Sequence, residues 1–263
     1  MTETVPDILA RIVAHKRKEL QAPKVPVAQL ETRATMRLGS RRDFNSALLS
    51  RRPAIIGEIK KASPSRGVLA ANYDPCGLAS AYERGGAAAL SVLTDQVFFQ
   101  GNLDDLCAAR EAVTLPVLRK DFTIDEYQVT EAAASGADAI LLIAAILDVS
   151  RIRELRLLAA NYQMAVLVEV HDEPELELAL GAGADIIGVN NRDLRTFQVS
   201  LGTSLRLAAK IPSGVLKIAE SGIHSAGDIR LLADAGFHAF LVGEHLMQSS
   251  DPTAALQALM SAS

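Results

Sequence analysis

The sequence predicts an α/β fold, a (β/α)8 TIM barrel with an N-terminal helical extension. Three observations carry that expectation. Eight short apolar runs recur between residues 54 and 243 at intervals of about 26 residues, the room that a strand, a loop and a crossover helix need. Several runs are entered through the same phrase, a helix-ending glycine followed by a buried strand, as in GGAAALSV, SGADAILL, GAGADIIGV and AGFHAFLVG. Repetition of one supersecondary unit is the signature of a repeating architecture. Five of the runs also end in charged or amide side chains, and the C-terminal ends of parallel barrel strands are where such folds keep their chemistry.

Residues 1–50 stand outside the repeat. Ile8, Leu9, Ile12 and Val13 form an apolar stripe at helical spacing, and Pro23 and Pro26 then break the chain before further helical stretches. By itself this pattern fits a segment that plugs or braces the barrel as well as one that lies over its mouth. The strands are expected at 54–60, 88–94, 116–121, 139–144, 165–170, 186–191, 216–221 and 239–243. Between them, Asp74-Pro75 and Asp251-Pro252 place a capping carboxylate before a first-turn proline. Gly85-Gly86, Gly136, Gly183 and Gly236 mark helix ends, where a left-handed residue closes the last turn. An open, doubly wound sheet also shows buried strands between helices. Eight units of similar length favour closure, and Gly181-Ala182-Gly183 precedes a strand where a dinucleotide fingerprint would follow one. The expected organisation is one barrel domain over 1–263.

With 263 residues, 49% of them hydrophobic and 22% charged, the chain can bury a full core, and disordered, collagenous and coiled-coil classes drop out. The formal net charge of −4 is ordinary. Cys76 and Cys107 lie far apart with no C-x-x-C, which supports neither a disulfide framework nor a cysteine zinc site; both are expected as small buried residues of helices. The N-terminus mixes charges through its apolar positions, unlike a signal peptide. The longest apolar run, 139–147, is far short of the roughly 18–20 residues that span a bilayer. A cytoplasmic protein without a membrane partner is expected.

In a barrel, the strand-end residues Glu58, Lys60, Lys120, Asp121, Glu169, Asn190, Asn191, Arg192 and Glu220 converge on one face. Alternation puts Glu58 with Lys60, Leu118 with Lys120, and Leu167 with Glu169 on shared faces. Burying a charge costs several kcal/mol unless it is paired or solvated, so five strands ending this way point to a site. Lys60, Lys120 and Arg192, with Lys61, Arg66 and Arg119 nearby, suit a small anion. A chain without tryptophan and with no basic run interleaved with aromatics does not suit nucleic acid. Ser221-Gly222-Ile223 and Gly243-Glu244 follow the last two strands, where many barrels bind phosphate through backbone N–H groups. Ser63-Pro64-Ser65-Arg66-Gly67 reads as a basic, hydroxyl-bearing flap or a simple turn. The histidines His15, His171, His224, His238 and His245 show no H-E-x-x-H pairing, and there is no G-x-S-x-G, so neither a metal nor a serine hydrolase is expected. His171 is expected on a solvated loop.

Six segments then make a resemblance specific. Glu58-Ile59-Lys60-Lys61-Ala62-Ser63-Pro64-Ser65, Ser91-Val92-Leu93-Thr94-Asp95 leading to Phe99-Gln100-Gly101, and Leu118-Arg119-Lys120-Asp121-Phe122 are followed in order by Val189-Asn190-Asn191-Arg192-Asp193-Leu194, Ala219-Glu220-Ser221-Gly222-Ile223 and Leu241-Val242-Gly243-Glu244. Nearly the whole chain resembles the indole-3-glycerol phosphate synthase family of tryptophan biosynthesis. The stretch Ile8-Leu9-Ala10-Arg11-Ile12-Val13 is similar to that family's extra helix, which helps close the substrate site.

The resemblance implies closure of an indole ring on 1-(2-carboxyphenylamino)-1-deoxyribulose 5-phosphate, with loss of carbon dioxide and water and without metal or cofactor. It makes Lys120 the general acid at the developing alkoxide, with Glu169, Lys60 and Glu58 serving the dehydration. Asn190 and Glu220 orient substrate hydroxyls or lysines, and Arg192 lies near the anthranilate carboxylate. Phe99, Phe122 and Leu194 wall the aromatic ring. Phosphate falls to Lys60, Ser63, Ser221, Gly222, Gly243 and the backbone N–H of Glu244, whose side chain is expected to point away. Two other readings keep the barrel: a phosphoribosyl anthranilate isomerase-like sugar-phosphate isomerase, and a non-catalytic phosphate-ligand-binding barrel. The partner expected is a small substrate bearing phosphate and carboxylate, the protein being a monomer or a weak homo-oligomer.

Overall fold

The computed structural model describes residues 7–64, 67–69 and 73–261. Eight strands, β1 (Ala54–Ile59), β2 (Ala89–Leu93), β3 (Val117–Lys120), β4 (Ala139–Ile143), β5 (Ala165–Val170), β6 (Ile186–Asn190), β7 (Leu216–Glu220) and β8 (Ala239–Val242), fall where the apolar runs predicted them. All pair in parallel with their sequence neighbours, and β1 pairs with both β2 and β8, from Ala54 opposite Ala239 to Gly57 opposite Val242, so the sheet is closed.

Closure sorts the side chains by alternation. Ile55, Ile59, Leu90, Val92, Val117, Ile140, Val168, Val189 and Phe240 face out and share one core with the crossover helices. Ala54, Ile56, Leu118, Leu141, Leu167, Ile218 and Leu241 face in and form a second. The helices start and stop largely as their punctuation predicted. Asp251 accepts from the Ala254 N–H, and Gly86, Gly136, Gly183 and Gly236 take φ between 80 and 97°. Asp74 is the exception: it occupies the cap position without a side-chain cap bond, and Pro75 alone sets that helix start. Cys76 is exposed and Cys107 half-buried, so neither is the fully buried residue expected. Among the described residues no helix is long and apolar enough to cross a membrane.

The extension serves both ends of the barrel. Helix α1 (Asp7–Leu20) carries the stripe, with Ile8, Leu9 and Ile12 lining the cavity at the C-terminal ends of the strands. Helix α2 (Val27–Met36) buries Leu30 and Ala34 against the outer core, and Tyr127 Oη donates to Val25 O at 3.2 Å just before it. The chain then reaches the opposite end. Arg41 donates to Ala133 O, Ala137 O and Tyr162 O, and Arg42 to Leu115 O and Arg110 O, at 2.6–3.0 Å. Helix α3 (Phe44–Leu49) inserts Phe44 and Leu48 among Ala54, Ala89, Ala139 and Ala239, whose small side chains leave that space, and each insert is 1% exposed. Phe44→Ala empties this floor and is expected to cost about 3–5 kcal/mol of stability, read by urea unfolding.

Candidate active site

The strand ends surround a cavity of about 380 Å³ at the mouth opposite α3, roofed by α1. Every catalytic and substrate-binding residue expected from the sequence lines it: Glu58, Lys60, Ser63, Phe99, Lys120, Phe122, Glu169, Asn190, Arg192, Leu194, Glu220, Ser221, Gly222, Gly243 and Glu244. Its volume suits a small organic ligand.

The chemical centre is a knot of buried charge. Lys120 Nζ lies 3.2 Å from Glu169 Oε2 and 3.7 Å from Glu220 Oε2, and Lys60 Nζ lies 2.5 Å from Glu58 Oε1. Burial would strip Lys120 of its proton, but Glu169, Glu220 and Glu58 reverse that and hold its pKa above the ordinary lysine value. The three carboxylates share two ammonium groups, and the three do not ionise equally. Burial opposes ionisation of Glu169, yet Lys120, His171 and the Asn190 amide, which donates to Oε1 at 3.0 Å, pull its pKa well down. Glu220 is farther from Lys120. Burial, reinforced by the Glu169 charge, pushes it up to about 8. Glu220 therefore holds its proton more tightly than a free glutamate, which eases the crowding of three carboxylates around two ammonium groups and the His171 ring.

Two glycines make room for the outer carboxylates. A side-chain carbon at Gly243 would overlap Glu58 Oε1, and one at Gly188 would overlap Glu220 Oε1. Gly243 thus has a packing role beside the loop role expected of it. After β7, Ser221 adopts φ 65°, a left-handed conformation that strains a residue with a side chain. Asn191 fixes it, with Nδ2 donating to Glu220 O and Ser221 O and Oδ1 accepting from Ser204 N. Asn191 therefore clamps the backbone while Asn190 faces the cavity. Glu244 stays in the lining with its carboxylate 3.4 Å from Arg192 Nη2. Phe99 and Phe122 meet at 5.9 Å between ring centroids.

A second network ties the roof to the barrel. Lys16 of α1 is 4% exposed, and its Nζ lies 2.9 Å from Asp95, 3.0 Å from Asp121 and 3.0 Å from Glu19. Asp95 accepts from the Phe98 and Phe99 N–H groups, and Asp121 from the Phe122 N–H. One lysine thus seats the roof on the two carboxylates that set the aromatic wall. Arg119, expected at the mouth, instead faces the 126–135 helix, bound to Asp121, Glu131, Thr94 and Gln128 O. It sits one residue out of phase with Lys120, so alternation sends it outward. Arg119 and Lys16 hold the Asp121 pKa, which burial would raise, at about 2. Of the flap, Ser63 pairs with Gly67 in a short hairpin, while Ser65 and Arg66 lie outside the described residues.

Sequence reading missed Lys16 and underrated His171. Lys16 continues the 9, 12, 16 stripe, the sign of a lysine turned inward. His171 lies in the bend just after β5, the loop position expected for it, but it is largely buried against Glu169 and Glu175 where a solvated side chain was expected. Lys16→Met leaves Asp95 and Asp121 without their cation. It is expected to cost about 3–5 kcal/mol in urea unfolding and to open α1 to proteolysis. Glu220→Gln tests the shared charge. Folded Glu220 keeps a proton that the unfolded chain releases from pH 4.5 upward, so wild-type stability falls with pH until about 8. In parallel melts the variant's advantage is expected to grow across that window and then level.

The fold is shared with solved sugar- and thiamine-phosphate enzymes. 3-hexulose-6-phosphate synthase from Salmonella typhimurium superposes with a TM-score of 0.64 at 15% identity, over 80% of this chain and 97% of that one. Thiamine phosphate pyrophosphorylase from Pyrococcus furiosus gives 0.59 at 16%, over 80% and 95%. At such identities the likeness is one of fold. Sequence relatives are far nearer. Indole-3-glycerol phosphate synthase from Polaromonas naphthalenivorans is 51% identical over 96% of this chain and 98% of its own. The protein of that name from Chromobacterium violaceum is 49% identical over 96% and 97%. The family model for indole-3-glycerol phosphate synthase matches residues 9–259. The chain belongs to the indole-3-glycerol phosphate synthase family.

Proposed function

We propose that this cavity closes the indole ring of 1-(2-carboxyphenylamino)-1-deoxyribulose 5-phosphate, the carboxy-lyase step of tryptophan biosynthesis, with Lys120 as general acid. The observation that carries this reading is the Lys120 ammonium, buried and kept protonated between Glu169 and Glu220 inside an aromatic-walled cavity. Phe99, Phe122 and Leu194 wall the anthranilate ring and Arg192 takes its carboxylate. The phosphate lies toward Lys60, Ser63, Ser221, Gly222, Gly243 and the Glu244 N–H.

The ring carbon bearing the carboxylate attacks the ketone carbon. The carbonyl electron pair moves onto oxygen, which takes a proton from Lys120. Loss of carbon dioxide returns its bonding pair to the ring and restores aromaticity. The new hydroxyl then leaves as water, taking a proton from an acid, while a base removes a proton from the neighbouring methylene carbon to form the indole double bond. Glu169, Lys60 and Glu58 supply this second acid–base set. Once Lys120 has given up its proton, Glu169 loses the cation that depresses it and becomes the stronger base. Glu220, with its raised pKa, limits the negative charge around Lys120, and Asn190 holds Glu169.

Purified protein given this substrate without metal or cofactor is expected to generate indole fluorescence. Lys120→Ala is expected to fold and to lose turnover by about 10²–10⁴-fold. A flat wild-type trace from folded protein that still binds phosphate would favour the isomerase or non-catalytic reading, and normal turnover in the variant would remove Lys120 from its role.

A further inference from the structure

His171 makes an arrangement that the reaction as written leaves unused. It follows Glu169 by two residues at the end of β5, with its side chain 14% exposed. Its Nε2 lies 3.3 Å from Glu169 Oε1, and its Nδ1 lies 2.9 Å from Glu175 Oε2. The same Glu175 oxygen accepts the His171 backbone N–H at 2.8 Å, so one carboxylate fixes both the ring and the chain that bears it. Glu175 is itself placed by the helix Glu173–Gly181, whose cap Asp172 accepts the Glu175 N–H at 2.9 Å. A run of contacts thus leads from a helix start to a carboxylate in the reaction cavity.

The two oxygens of Glu169 are divided by these contacts. Oε1 faces Asn190 Nδ2 and His171 Nε2, whereas Oε2 faces Lys120. We propose that His171 is a positioning residue for Glu169: pinned by Glu175, it holds Oε1 and so presents Oε2 to Lys120 and to the substrate proton. The proposal rests on the reading of Glu169 as an acid–base group of the ring closure.

The surrounding charges fit a protonated imidazole. Glu169 on the preceding strand, Glu175 on the following helix and Glu220 on β7 face it as acids, with Lys120 on β3 beyond Glu169. Burial would lower its pKa, but the Glu169 and Glu175 carboxylates beside the ring reverse this and lift it to about 10. The ring therefore stays a cation through the working pH range and adds to the pull that keeps Glu169 ionised.

The experiment pairs kinetics with a readout independent of turnover. His171→Asn is expected to lower kcat by about 10–100-fold, the cost of a misplaced reacting group, with KM within about twofold. Because Glu169 loses a neighbouring cation, the acid limb of its kcat profile is expected to move about one pH unit upward. Glu175→Gln, a milder change on the far side of the ring, is expected to shift the limb the same way by less and serves if His171→Asn does not fold. In parallel, 15N NMR titration of unliganded protein is expected to find the His171 pKa far above 6.5 in wild type and lower in both Glu169→Gln and Glu175→Gln. An unshifted acid limb with reduced kcat, or a His171 pKa that neither substitution moves, would overturn the proposal. Normal turnover in Glu169→Gln with an NMR response intact would instead remove the reading of Glu169 on which it rests.

Discussion

Barrel closure forces the ends of eight strands into one ring, so the charges placed there must balance one another away from bulk water. Everything at the mouth follows from that constraint. Carboxylates packed this closely around Lys60, Lys120 and His171 cannot all ionise with equal ease, and the strain falls on Glu220, whose pKa is pushed up to about 8. The result is an acid, Lys120, that is more firmly protonated than a free lysine, next to a carboxylate, Glu169, that is more firmly ionised than a free glutamate. Neither is reactive at rest. In the ring closure proposed above, each becomes reactive when the other changes state, so that the pair would move one proton at a time.

The apolar part of the protein is arranged to permit this. Inward positions are small where α3 enters, large in the middle layers, and polar at the mouth. The same alternation that packs Leu118 sets Lys120 above it, and Leu167 likewise carries Glu169. Glycine at 188 and 243 gives the carboxylates of Glu220 and Glu58 space that any side chain would take. The barrel interior and the reaction centre are one packing problem.

The repeat, the eight strands and the converging strand ends were legible because periodicity of two within strands and a fixed unit length are written directly in residue order. The site residues were legible for the same reason, reinforced by motifs such as Lys120-Asp121-Phe122 and Glu220-Ser221-Gly222. What was not legible depends on partners remote in sequence. Asp121 lines the mouth as its strand-end position predicts, but nothing local reveals that it also anchors Lys16, a residue from the first helix. Arg119 looked like part of an anion site and proves to bind the 126–135 helix. His171 looked solvated because nothing local reveals that Glu175, one helical turn on, folds back over it. Whether the extension braces or covers the barrel had no local answer, since it does both.

That last feature bears on how the chain comes into being. The segment that precedes the strands closes the mouth through Lys16 and the floor through Phe44, and its anchors, Asp121 and Asp138, follow far later in the chain. Leu9, Ile12, Phe44 and Leu48 draw their packing partners from strands spread from Ala54 to Leu241, so their full burial waits on the closed barrel. Docking is consequently a non-local, late event, and it completes both faces of the barrel in the same stroke. The cavity at the mouth is not finished when the eighth strand is added; it is finished when α1 folds back over the strands that follow it.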